Sequence, residues 1–363
     1  AGSMSVAAAD VVVFGHIDTS YDYQDTDGGA TTQNLNCTTC SVGFKGSEDL
    51  GNGLKAVFKI DFQYDTTERN KVSGGKNASV SGATSGGATV TGVASGVSTG
   101  SGAFTDRDQW LGLEGVFGKV RVGTISTVYK SHGAALDPLY RTAQQQRDRG
   151  LQSDLHRGAG DAGQGRATNT LRYDSPSWNG LGIGAHYTVQ NETTADPNAD
   201  SPWGIGGQWK GGPFLVFADY ITSDNGGDDS AWKVGGKYNL SIFSFFGQYE
   251  GDNGLISANG GNQTAGSGDG ANTWMLGATA TLGNSLAYFG WGHGDAGSGG
   301  STAVRYNTWQ LMGLHHLSRR TEVYGGYSAI LCGDHDNNVC SGIGTGKGDS
   351  DDRKLSFGMK HIF

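Results

Sequence analysis

Lys354-Leu355-Ser356-Phe357-Gly358-Met359-Lys360-His361-Ile362-Phe363 closes the chain. Successive side chains of a β-strand point to opposite faces. Leu355, Phe357, Met359, His361 and Phe363 therefore share one face, and Lys354, Ser356, Gly358 and Lys360 the other. One greasy face and one wet face suit a sheet closed between lipid and water, in which apolar-out and polar-in residues alternate along every strand. A soluble sandwich would tolerate one such strand, so the choice rests on the remaining residues.

Their composition favours the membrane. The 363 residues include 64 Gly and 5 Pro, and only 36% are hydrophobic, against about 45–50% in soluble domains on a count that includes Gly. Leu and Ile are too few for a large soluble core, while 14 Tyr, 14 Phe and 8 Trp suit the aromatic girdles of a barrel. No run approaches the ~18 apolar residues of a membrane helix, which leaves a closed barrel as the way to satisfy every backbone group in lipid. A net charge of −9 argues against nucleic acid as a partner. Ala1-Gly2-Ser3-Met4 reads as a cloning scar and Ser5-Val6-Ala7-Ala8-Ala9 as the tail of an export signal, so residues 1–9 precede the fold and 10–363 form one domain.

Sixteen period-2 segments are legible. They are Val11–Tyr23, Ser41–Glu48, Leu54–Tyr64, Arg107–Leu113, Lys119–Thr124, Thr170–Asp174, Leu181–Val189, Trp203–Trp209, Pro213–Ile221, Ala231–Tyr238, Ile242–Tyr249, Thr273–Thr281, Ser285–Trp291, Val304–His316, Arg320–Ile330 and Arg353–Phe363. Leu54–Tyr64 alternates most cleanly, with Leu54, Ala56, Phe58, Ile60, Phe62 and Tyr64 outward and Lys55, Val57, Lys59, Asp61 and Gln63 inward. Tight turns and long polar loops alternate between the segments, as an up-and-down barrel requires, and an even count puts both termini on the short-turn side. The expected fold is all-β, a transmembrane antiparallel barrel of sixteen strands, wide enough for an aqueous channel. Residues 66–104 are rich in Gly, Ser, Ala and Thr and read as a flexible loop. Residues 126–166 carry Leu136, Leu139, Tyr140, Leu151 and Leu155 among many charges. A connection that long is functional or disordered, and the apolar anchors favour a folded loop.

The chain resembles the general porins of Gram-negative outer membranes, the sixteen-stranded trimeric type of proteobacteria. The carriers are the stretches Gly43–Ala56, Leu111–Val120 and Asn169–Pro176, the turn Leu317-Ser318-Arg319-Arg320-Thr321 and the terminal Phe363. The resemblance implies a homotrimer of water-filled pores in contact with outer-membrane lipid and lipopolysaccharide, with long loops extracellular and termini periplasmic. Small hydrophilic solutes and ions would cross by passive diffusion, with no reaction catalysed. It further implies that residues 126–166 fold inward as the constriction, that residues 66–104 latch a neighbouring subunit, and that Phe363 is read by the assembly machinery. The constriction candidate has Asp137-Pro138 but lacks the family's Pro-Glu-Phe-Gly motif, so selectivity is read from this chain's own charges.

Pores select by charged side chains at the narrowest point. The inward candidates on the wall are Lys45, Lys55, Lys59, Arg107, Lys119, Arg121 and Arg172, opposed chiefly by Asp18 and Asp61. The loop sets Lys130, Arg141, Arg147, Arg149, Arg157 and Arg166 against Asp137, Asp148, Asp154 and Asp161. This balance predicts a mild anion preference; the bland alternative is that several of these charges sit at strand ends, screened within about 8–10 Å.

Cys37, Cys40, Cys332 and Cys340 permit three pairings. Exported surroundings favour disulfides, and the local pairs Cys37–Cys40 and Cys332–Cys340 are expected. The alternative is a barrel whose cysteine-bearing loops bind a partner, or a metal with help from His335. No cofactor is expected. If a loop held calcium, Asp349, Asp351 and Asp352 would be its ligands, although a solvated acidic run is the simpler reading. Trp110, Trp178, Trp203, Trp209, Trp274, Trp291 and Trp309 are assigned to the interfacial girdles.

Overall fold

A computed structural model describes residues 10–27, 31–67, 105–156, 165–190, 201–222, 230–253, 255, 271–295, 305–332 and 351–363. Residues 1–9, expected to precede the fold, nearly all of the Gly-rich loop (68–104), Arg157, Asp161, His335, Cys340 and Asp349 lie outside the described residues.

The wall is built from β1 (Asp10–Thr26), β2 (Thr32–Cys37), β3 (Ser41–Gly51), β4 (Leu54–Gln63), β5 (Thr105–Gly115), β6 (Gly118–Ser126), β7 (Arg166–Asp174), β8 (Leu181–Thr188) and β9 (Trp203–Gly211). It continues through β10 (Phe214–Thr222), β11 (Ser230–Leu240), β12 (Phe243–Asn253), β13 (Asn272–Leu282), β14 (Ser285–Asp295), β15 (Arg305–His316), β16 (Thr321–Cys332) and β17 (Asp352–Ile362). From β3 to β17 each strand pairs antiparallel with the next, and β1 closes the ring between β3 and β17. The extra strand β2 does not add a seventeenth stave. It pairs with β1 from Thr32 to Cys37, directly in line with β3, which takes over at Ser41. The barrel therefore has sixteen staves, one interrupted at residues 38–40. Each expected segment coincides with a stave to within four residues at either end.

Alternation decides which face each residue meets. On β17, Phe357 and Met359 face outward, while Asp352, Ser356 and Lys360 are buried inside. On β4, Ile60 is exposed and Asp61 buried. Outside β9–β16, Trp203–Tyr220, Trp232–Tyr249, Trp274–Trp291 and Trp309–Tyr327 form ring pairs with centroids 4.7–5.4 Å apart. This belt marks one membrane interface. Phe214–Tyr238 and Phe243–Phe245 stack at the opposite, short-turn ends of the same wall. Trp110 departs from the expected girdle. Its neighbours Leu111 and Leu113 are the outward residues, and Trp110 faces inward beneath Arg121, whose Cζ is 5.1 Å from the ring.

Between β6 and β7 the chain turns into the barrel. Thr127 caps α1 (Val128–Ala134) by accepting the Lys130 N–H. The helix lies on a wall of glycines: a Cβ on Gly206 would stand 2.7 Å from Val128 and collide with the Asp219 carboxylate, and one on Gly184 would meet Val128 at 3.0 Å. Two short 3-10 turns follow, Gln146–Asp148 and Asp154–His156.

Candidate pore constriction

The inserted loop is held by an apolar seam and by buried polar bonds. Leu136, Leu139 and Leu151 are 1%, 0% and 0% exposed and pack on Leu215, Phe217, Phe246, Met275, Tyr288, Met312, Leu314 and Tyr324. These wall residues point into the barrel, so an apolar lumen patch exists where the loop covers it. Tyr129 and Leu155 join a second cluster with Ile221 and Ala231. Burying one such leucine contributes about 1.5–3 kcal/mol.

The polar bonds cross the same seam. Glu250 on β12 accepts from the Tyr129 hydroxyl at 2.8 Å, from the Ser153 N–H at 3.1 Å, from the Ser153 hydroxyl and from Gln248 at 2.6 Å. His132 donates to Asp219 at 2.6 Å. Lys233 reaches Asp219 (3.4 Å), the Tyr129 carbonyl and the imidazole of His156. Farther along, Arg149 bonds Asp352 (2.7 Å) and Ser328 (2.8 Å), and Lys354 and Lys360 donate to the Ala143 and Tyr140 carbonyls. The loop thus runs across β9–β17 and turns its other side toward β1 and β3–β7.

On that side the positive charges gather. Arg107 pairs with Asp61 at 3.3 Å and donates to Gln63 at 2.9 Å. Lys59 lies 3.4 Å from Asp61 and 3.2 Å from Asp108, and Arg166 bonds Asp108 at 2.9 Å. Arg141 and Arg147 stand over Tyr140, at 5.6 and 5.4 Å from its ring centroid. Burial alone would raise the Tyr140 phenol, but Arg141, Arg147 and Arg107 together bring it below its usual value. Burial, with Arg166 and Arg147 nearby, pushes the Lys130 ammonium well below the ordinary lysine value. Lys59, Arg107, Arg141, Arg147 and Arg166 outnumber the carboxylates near them, Asp61, Asp108 and, beside Arg147, Asp137. The local field is positive although the whole chain is negative.

The remaining candidates separate by height and by partner. Lys45 stands 5.3 Å from the Phe14 ring, as does Lys59. Lys55 pairs in register with Asp49 and Glu114, and Lys119 salt-bridges Glu114 at 2.5 Å; both belong to the short-turn mouth. Arg121 and Arg172 share the carboxylate of Asp174, with Arg172 Nη2 at 2.7 Å. Two loop residues leave the pore-lining set because they hold the loop itself. Asp137 accepts the N–H groups of Leu139 (2.9 Å) and Gln146 (3.0 Å), and burial pushes its carboxyl up to about 6. Arg149 is 3% exposed and spent on Asp352.

Asp108 is the site residue that strict alternation misses. Ile60 pairs with Gln109 but Phe62 with Asp106, so Arg107 and Asp108 together oppose Asp61. A bulge of this kind re-aims a side chain, and both consecutive residues reach the interior. The buried anchors Asp219 and Lys233 were visible as inward charges in period-2 strands, and Glu250 lay just past the expected Ile242–Tyr249, without a sign that a loop would cover them.

Cys37 and Cys40 are joined by a disulfide, which removes both thiolates from any metal site. Cys332 ends β16, and its expected partner lies outside the described residues. The acidic run near the last strand is divided: Asp352 turns inward to Arg149, and Asp351 pairs with Arg353 at 2.8 Å.

A family model of Gram-negative porins matches residues 1–331. Major outer membrane protein P.IB of Neisseria meningitidis serogroup A is 28% identical over 219 residues, covering 58% of this chain and 53% of that protein. A serogroup B form is 30% identical over 176 residues, covering 48% and 40%. The chain thus spans about half the length of these relatives. Among solved structures, an anion-selective porin from Comamonas acidovorans superposes with a TM-score of 0.70 at 22% identity, covering 98% of this chain and 100% of that one. OmpF of Salmonella typhi, in complex with daunomycin, gives 0.66 at 14% identity with 97% of both chains covered.

Proposed function

This chain belongs to the Gram-negative porin family, and we propose that it forms a water-filled outer-membrane channel for passive diffusion of small hydrophilic solutes and ions, with a mild preference for anions. The observation that carries this reading is the cluster of five cations, Lys59, Arg107, Arg141, Arg147 and Arg166, shared between loop and wall, against Asp61, Asp108 and Asp137. A ring of positive side chains at a constriction attracts anions and repels cations. The inserted loop supplies size exclusion, and the solute gradient supplies the driving force. No covalent step belongs to this reading.

We further propose a homotrimer, with long loops extracellular and termini periplasmic. The belt of paired rings lies outside β9–β16, whereas β1 and β3–β6 present Val11, Val13, Ile17, Leu111, Leu113 and Val122 outward. No tryptophan faces outward among the described residues of β1–β7, which suits a face turned to neighbouring subunits rather than to lipid headgroups. Liposome swelling tests the channel. Anionic organic solutes should enter faster than cationic ones of equal size, with a cut-off for large neutral sugars. Vesicles carrying folded protein that fail to swell in any small solute would contradict the reading.

A further inference from the structure

The interruption between β2 and β3 carries more than a strand break. β1 pairs Thr19 with Cys37 and His16 with Ser41. Between these pairs β1 has two residues, Ile17 and Asp18, and its partner has three, Thr38, Thr39 and Cys40. The extra residue makes a bulge, and the Cys37–Cys40 disulfide closes its base. The Thr38 N–H donates to the Asp18 carbonyl at 3.1 Å and the Tyr64 N–H to the Cys40 carbonyl at 3.0 Å, so both ends are stitched into neighbouring strands. At the apex Thr39 sits at φ +53°, a left-handed conformation that a β-branched residue adopts only when its surroundings impose it.

The held apex touches the pore. Thr39 Oγ1 is 3.2 Å from His16 Nε2, and His16 Nδ1 is 3.2 Å from Arg141 Nη1. A guanidinium only donates, so His16 Nδ1 accepts, Nε2 carries the proton, and Nε2–H donates to Thr39. The Ser41 hydroxyl also reaches Nδ1 at 3.2 Å. The imidazole is fixed from both sides, and through it the bulge fixes one cation of the constriction. A cavity of about 310 Å³ separates the bulge (Cys37, Thr38, Thr39) from the loop (Ala143, Asp148) and reaches the half-buried Cys37 end of the disulfide, whereas Cys40 is fully buried.

We propose that the disulfide-closed bulge sets the selectivity of the pore: it holds Thr39 on His16, and His16 holds Arg141 within the cationic cluster. The inference rests on the anion-preferring channel proposed above. A dithiol reductant supplies two electrons and two protons, the S–S bond breaks to two thiols, and the dithiol closes to its own cyclic disulfide. Released from its closure, the bulge relaxes, Thr39 leaves the left-handed region, His16 turns, and Arg141 loses its His16 acceptor and is left with Tyr140 alone.

The test is the reversal potential of bilayer-inserted protein across a salt gradient, before and after dithiothreitol, with alkylation and mass measurement to verify reduction. Wild type should be anion-selective when oxidised and should move toward zero potential on reduction while still conducting. Thr39→Ala, which keeps the disulfide, should show the shifted value without reductant. Cys37→Ser combined with Cys40→Ser should show it too and ignore dithiothreitol, which assigns the effect to this pair rather than to Cys332 and Cys340. An anion-selective wild type whose potential is unmoved by verified reduction overturns the inference and leaves the channel reading intact. So does a Thr39→Ala channel identical to wild type, or reduction that only abolishes current. Oxidised wild type without anion preference overturns both.

Discussion

At the scale of single residues, the site works by setting each donor against an acceptor. His156 shows this most clearly. Its Nε2 accepts from Lys233 at 3.1 Å, and its Nδ1 donates to the Ser153 carbonyl at 3.1 Å, so only the neutral ring fits. Burial, with Lys233 beside it, holds the imidazole well below its ordinary value of 6.5. The folded loop therefore binds fewer protons than an unfolded one. Its stabilisation is complete above about pH 6.5 and is lost progressively as the pH falls. Open-channel current noise should rise on acidification, and His156→Gln should flatten that dependence; equal noise at neutral and acidic pH would count against it. Arg141 is the complementary case, a cation held for its field. Replacing it with Ala should lower the ratio of chloride to potassium permeability, by at most roughly fivefold, since a unit charge at 4 Å in water is worth about 1 kcal/mol before salt screening. A permeability ratio unchanged in Arg141→Ala would remove it from the selectivity-setting set.

At the scale of elements, the loop between β6 and β7 depends on its seam. Leu139 is fully buried against the wall, and Leu139→Ala should cost about 2–5 kcal/mol of loop anchorage. Glu250→Ala strands the donors of Tyr129, Ser153 and Gln248, at roughly 1–3 kcal/mol for each one left unsatisfied. Both variants should keep the barrel's heat resistance while amide exchange in α1 and in Leu136–Gln152 accelerates; protection equal to wild type would show that the seam does not hold the loop. The staves were legible because period-2 alternation is local, and leucines that a solvated loop has no use for suggested that the loop is folded, its inward direction coming only from the family resemblance. The partners were not legible. Asp108 reaches the interior only because a bulge breaks the period, and β2 looks like loop because its polar residues, the exposed Gln33 and Asn34 and the half-buried Asn36, pair with the rising end of β1. Asp137 and Arg149 looked like lumen charges because sequence reveals a charge but not the buried acceptor or donor that uses it.

At the scale of the whole molecule, closure and field are the two properties that matter. The ring closes where Gly15 and Phe363 exchange both backbone bonds at 3.0 Å. The Phe363 ring lies over Gly15, where a Cβ would stand 2.6 Å from it. Deleting Phe363 removes both bonds and the ring, and should sharply reduce the heat-resistant fraction seen on a gel without boiling; an unchanged fraction would mean that the last residue is dispensable for closure. The closed barrel carries a negative net charge around a positive waist, which keeps the outside and the pore electrostatically distinct. The most direct test of this arrangement is single-channel recording in a planar bilayer under a salt gradient. The account predicts current steps grouped in threes and a reversal potential of the anion-selective sign. A folded protein that conducts with the cation-selective sign, or does not conduct at all, would contradict it.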